Sequence, residues 1–131
     1  MKITRSSLDT TQGPESSFTG LVFVDPVAAP EPPARTGAGS VHFTPGARTH
    51  WHTHPFGQTI FVLEGIGRCQ RAGGPVQEIR PGDRVFFEPG ENHWHGAAND
   101  RFNTQIAFQE ADGEGNHTSW GRHVTEAEYT G

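Results

Sequence analysis

The stretch GARTHWHTHPFGQTIFVLEG, residues 46–65, decides how this chain is read. It sets His50, His52 and His54 at a spacing of two, then Gln58, then the β-rich run Ile60-Phe61-Val62-Leu63. Alternate side chains of a strand point to one face, so the three histidines share a face, and Gln58 joins them if the turn at residues 55–57 keeps the phase. Neutral imidazoles converging on one point suit a divalent transition metal. A second His-x-His, His93 and His95, lies in PGENHWHG, residues 89–96. The rest of the chain reads as the scaffold that brings the two segments together.

Composition narrows the classes. A length of 131 residues suits one domain, and 32% hydrophobic residues make a thin core. Seventeen Gly and ten Pro imply many turns and short elements, which favours an all-β fold over a helical bundle. Net charge is −5 and no basic stripe is present, so nucleic acid is not expected as a partner. No run approaches the roughly 20 apolar residues of a membrane span, and the first residues lack the apolar centre of a signal peptide. A single cysteine, Cys69, excludes an internal disulfide. A cytoplasmic location is expected.

Along the chain, residues 2–5 read as a short edge strand, residues 6–16 as a polar turn region, and residues 17–24 as a strand. Four prolines, at 26, 30, 32 and 33, make residues 25–33 an ordered crossing loop that a central strand would not tolerate. Strands follow at 38–44, 48–54, 58–64, 68–71, 76–79, 84–87, 93–97 and 101–110, with turns at Pro45-Gly46, Gly73-Gly74 and Arg80-Pro81-Gly82-Asp83. The 101–110 strand puts Phe102, Thr104, Ile106 and Phe108 on one face and Asn103, Gln105, Ala107 and Gln109 on the other. The polar face either lines a pocket or meets solvent. Residues 117–124 read as a last strand. Thr125 then caps a short helix over 126–129, with Glu128 completing a capping box. So many short strands fit a closed barrel or jelly roll. The expected organisation is one domain over residues 1–131: N-terminal strands and crossing loop (1–37), barrel (38–110), then last strand and helix (111–131).

The paired histidine segments resemble the two motifs of the cupin superfamily. Gly46, His52, His54 and Gly65 fall in register with the first motif, and Gln58 stands where that motif has Glu. Gly82, Gly90 and His93 match the second, while Glu88 and Ala97 depart from it. The resemblance implies a double-stranded β-helix, pairing into a homodimer or homotetramer, and a metal held by His52, His54, Gln58 and His93. Gln for Glu keeps an oxygen donor but removes a negative charge, which strengthens the ion as a Lewis acid.

Within the cupins, the runs PGART, WHTHP, GQT, PGD, PGE, HWHGAA and HVT resemble small bacterial manganese-dependent hydroxynitrile lyases. That resemblance implies manganese, with Fe, Co, Ni or Zn as other ions the ligands accept, and a small-molecule substrate, a cyanohydrin cleaved reversibly to aldehyde and cyanide. His95 or His50 would take the hydroxyl proton, Gln105 or Gln109 would face the leaving anion, and Gly39, Val41 and Ile60 would shape the substrate pocket. The lyases carry a histidine where this chain has Gln105 and a small residue where it has His50. Two other readings compete: a metal-dependent oxygenase on a chelating substrate, and a non-catalytic small-ligand-binding cupin.

Overall fold

The computed structural model describes residues 1–6 and 9–131. In chain order the strands are β1 (Thr11–Gln12), β2 (Phe18–Thr19), β3 (Val22–Ala28), β4 (Thr36–Phe43), β5 (Arg48–Thr49), β6 (His52–Thr53) and β7 (Gln58–Gly65). They continue with β8 (Gly67–Arg71), β9 (Gln77–Ile79), β10 (Arg84–Phe87), β11 (His93–Ala97), β12 (Asn103–Glu110) and β13 (Ser119–Trp120), and one helix, α1 (Glu126–Thr130), closes the order. One sheet runs β1-β3-β4-β12-β7-β10; the other runs β13-β6-β11-β5-β2, with β8 on the far side of β11 and β9 beyond β8. All pairings are antiparallel. The chain is thus nearly all-β, two curled sheets and one short helix, as its turn density predicts.

The departures are local and have physical causes. Residues 2–5 form no strand; the edge is β1 instead, while Ser7 and Leu8 of the expected turn region lie outside the described residues. The strand expected over 17–24 breaks at Gly20, whose positive φ of 81° turns the chain from one sheet to the other. β3 then runs on through Pro26, against the expectation of a loop. Pro26 pairs with Gly39, past the end of β1, and the register shifts after it, so the missing N–H falls where no ladder bond is needed. The histidine strand expected over 48–54 also breaks, at His50-Trp51, because Trp51 N–H donates to the Arg122 carbonyl, 3.0 Å away. The last strand shrinks to β13.

The core between the sheets is built from inward-facing residues of alternating strands: Val41 and Phe43 on β4, Ile60 and Val62 on β7, Cys69, Phe87 and Ala107. β12 follows its expected alternation except at Thr104, which is buried although expected on the outward face, beside a register shift between Thr104 and Gln105. Asn103, Gln105 and Ala107 are buried, whereas Phe102 and Phe108 face outward. β11 is buried on both faces. His93 and His95 point inward, and Trp94 points outward into a second cluster with Trp51, Val124 and Tyr129. α1 seals that outer face. Its capping box, Thr125 with Glu128, is formed as expected. Arg48 latches it, donating to Val124 O at 2.9 Å and Glu126 Oε1 at 2.8 Å, with its guanidinium 4.4 Å from the Tyr129 ring centre. Tyr129 Oη donates to Ala97 O at 2.7 Å.

Gly96 allows β5 to approach β11 and so sets the depth of the inward histidines beside it. A Cβ there would lie 2.4 Å from Ala47 O and 2.6 Å from Arg48 Cα, both backbone atoms that cannot swing aside. Gly96→Ala is expected to cost roughly 2–3 kcal/mol, read as a lowered midpoint in denaturant unfolding.

Candidate metal centre

β6 carries His52, the turn after it His54, the start of β7 Gln58, and β11 both His93 and His95. β6 pairs with β11 at His52 and His93, so the two His-x-His segments meet side by side. The His52 ring centre lies 4.3 Å from His93, 5.0 Å from His54 and 5.4 Å from His95. One ligand nitrogen each from His52, His93 and His95 fall within 4.8 Å of one another. Phe87 stacks on His93 at 3.7 Å and 11°, holding the plane of that ring.

The hydrogen bonds decide which nitrogen each ring offers. His52 Nδ1 faces His50 O at 2.9 Å, His54 Nδ1 faces His117 O at 2.6 Å, and His93 Nδ1 faces Glu91 O at 2.8 Å. A carbonyl only accepts, so each Nδ1 carries the hydrogen and donates. His95 Nδ1 donates to Gln105 Oε1 at 2.7 Å. That amide is itself oriented: Gln105 Nε2 donates to Asn103 Oδ1 at 2.6 Å, and Asn103 Nδ2 donates to Glu64 O at 3.0 Å. In the neutral tautomer all four Nε2 atoms are bare acceptors. Those of His54 and His95 are buried with no partner among the described residues. That of His93 faces Gln58 Oε1 at 3.1 Å, one acceptor against another, while Gln58 Nε2 donates to Gln109 Oε1 at 3.2 Å.

The rings stay neutral. Burial pushes His93 down to about 3, pushes His52 and His95 far below the usual histidine range, and lowers His54. A charge on any of these rings would repel its neighbours as well. A buried group of lone pairs with no hydrogen directed at it is unsatisfied without a cation or an incoming proton donor. Imidazole nitrogens with an amide oxygen, each ring anchored through its other nitrogen, fit a divalent transition metal. The spatial triad is His52, His93 and His95, whereas the sequence expectation takes His54 and Gln58 in place of His95; all five donors stand together at this end of the barrel.

His52, His54, Gln58 and His95 border a cavity of about 160 Å³ lined also by Gly39, Val41, Thr49, Ala107 and Gln109, and His93 stands behind them against Gln58 Oε1. Three expected residues are placed elsewhere. His50 does not line it, because the strand breaks there; its ring turns to His123, 6.3 Å away. Ile60 is fully buried in the core, one inward step deeper than Gln58. Gln105 sits behind His95 rather than in the cavity wall. Sequence reasoning missed the aromatic wall and the strap. Trp120 on β13 lies 4.7 Å from the His52 ring and 5.8 Å from Phe18, and the carbonyl that orders His54 belongs to His117. No local pattern ties residues 117–120 to residues 52–54; only the pairing of β13 with β6 does.

The four buried rings make metal-free stability depend on pH. In the unfolded chain they take up protons as pH falls below about 6.5, and in the fold they do not, so the unfolded state is favoured as pH falls. The metal-stripped protein is expected to lose melting temperature steadily from pH 7 to pH 5, read by thermal melts across that range.

Residues 39–106 match the family profile described as the cupin domain. The chain is 51% identical over 118 residues to an (R)-mandelonitrile lyase from Granulicella tundricola, covering 90% of this chain and 89% of that protein. A cupin-like protein from Thermotoga maritima superposes with a TM-score of 0.85 at 36% identity, over 95% of both chains. The DMSP lyase DddQ from Ruegeria pomeroyi matches at 25% identity and a TM-score of 0.59, over 70% of this chain and 46% of its own. With its two histidine motifs side by side on paired strands, this chain belongs to the cupin family, as a small member close in sequence to a bacterial mandelonitrile lyase.

Proposed function

We propose that the protein is a metal-dependent carbon–carbon lyase of the hydroxynitrile lyase type, cleaving a cyanohydrin reversibly to an aldehyde and cyanide. The observation that carries the metal dependence is the set of inward Nε2 lone pairs without a donor. The reaction is brought by the 51% identity to a mandelonitrile lyase. His52, His54, Gln58 and His93 would hold the ion: three rings anchored by main-chain carbonyls, and an amide oxygen already turned against His93 Nε2. A bound divalent cation, manganese in this reading, supplies Lewis acidity toward the substrate hydroxyl oxygen.

His95 is then the base. Its Nε2 is unpartnered and lines the cavity, and its Nδ1–H is held by an oriented side-chain amide. It takes the hydroxyl proton; the electron pair of the O–H bond becomes the carbonyl π bond as the carbon–carbon bond breaks, and the pair of that bond leaves on cyanide. Burial disfavours the imidazolium, so His95 returns the proton to cyanide and hydrogen cyanide departs. Gln109 borders the cavity and, with its Oε1 engaged by Gln58, presents Nε2–H to the leaving anion. The same steps reversed add cyanide to an aldehyde.

Manganese-loaded protein with mandelonitrile is expected to release benzaldehyde, followed by absorbance, and chelator-stripped protein is not. No release above the stripped control sinks the lyase reading. His95→Ala is expected to lower kcat by about a hundredfold or more while retaining metal by elemental analysis. His50→Ala, whose side chain lies outside the cavity, is expected to keep activity within about twofold.

A further inference from the structure

β4 offers Gly37, Gly39, Val41 and Phe43 to the barrel interior, and the two outermost positions carry no side chain. Backbone geometry does not require glycine at either, since neither has a positive φ. Nor does close packing require it at Gly37, where a Cβ would meet nothing nearer than Gln109 Nε2 at 3.4 Å; at Gly39 a Cβ would press on Val24 Cγ1 at 3.3 Å, the tip of a side chain. Across the ladder on β12 stand Gln109 and the small Ala107. The missing side chains therefore leave room.

That room opens outward. A second cavity, of about 580 Å³, shares Val24, Gly39, Gln109 and His117 with the inner one. Its walls are small and aliphatic, including Pro14, Pro26, Ala28, Pro30 and Ala111, with Asp9 and Arg35 among its few charged residues. The inner cavity, at about 160 Å³, is smaller than the roughly 300 Å³ at which ligand pockets usually begin. It accommodates a small reacting head and little else.

We propose that the outer chamber is a subsite for an uncharged hydrocarbon tail, so that the substrate is a small oxygen-bearing head on an apolar chain of several carbons. The occupant follows from continuity with the donor cavity and from walls that offer a chain apolar contact and few polar partners. The inference rests on the proposed function only for where the head sits.

Binding of straight-chain alkyl hydroxamates, from acetyl to octanoyl, to the manganese-loaded protein tests it by calorimetry. The hydroxamate head addresses the ion and the tail addresses the chamber. Kd is expected to fall about three- to fourfold per added methylene until the chamber is filled. Gly37→Leu, which places a side chain in the chamber, is expected to flatten that dependence, and Gly37→Ala to flatten it in part. Ala111→Leu fills the chamber from β12's end of the wall and serves if the Gly37→Leu protein does not fold. The proposal is overturned by a Kd independent of chain length, by no binding at any length, or by an undiminished dependence in a folded filled variant. Chain-length dependence without cyanohydrin cleavage keeps the subsite and removes the lyase reading; cleavage without that dependence does the reverse.

Discussion

Everything at this centre depends on which nitrogen of each imidazole carries the hydrogen. Three backbone carbonyls, of His50, Glu91 and His117, and one amide oxygen, of Gln105, draw the hydrogen to Nδ1. Each ring is then left with its Nε2 lone pair free of a donor, those of His54 and His95 buried and that of His93 against Gln58 Oε1. Burial reinforces this by keeping the rings uncharged, so they crowd together without mutual repulsion. The arrangement is preorganised through backbone geometry, so much of the scaffold exists to hold carbonyls in place. The strand break at His50-Trp51 turns one carbonyl to His52, and the segment before β13 lays another against His54.

Much of this was legible along the chain. Alternation in residues 101–110 separated the inward Asn103, Gln105 and Ala107 from the outward Phe102 and Phe108. Turn residues marked Pro45-Gly46 and Arg80-Pro81-Gly82-Asp83, which close with Ala47 N–H to Thr44 O and Asp83 N–H to Arg80 O. Thr125 and Glu128 announced the helix start. The spacing of His52, His54, Gln58 and His93 placed donors that the fold brings to one end of the barrel.

What was not legible is tertiary in origin. Parity alone sent His50 to the pocket, but parity holds only while a strand is unbroken, and Trp51's bond to Arg122 O interrupts it. Gln105 has inward parity and is fully buried, yet His95 stands between it and the cavity. Ile60 has inward parity too, but parity does not say how deep along the barrel a residue lies. Pro26 looked like a strand breaker because the position of its missing N–H relative to the sheet edge is set by where β1 ends, which is a property of the pairing.

The strap and the latch bear on biogenesis. His54 is ordered by a carbonyl 63 positions downstream, and Arg48 is engaged by Val124 and Glu126. The β7, β10 and β12 ladder uses none of these downstream residues and can pair before they dock, but the rings cannot then be fully ordered. A chain in which residues 117–126 have not yet docked therefore presents loosely held imidazoles, and the order of the centre is acquired last.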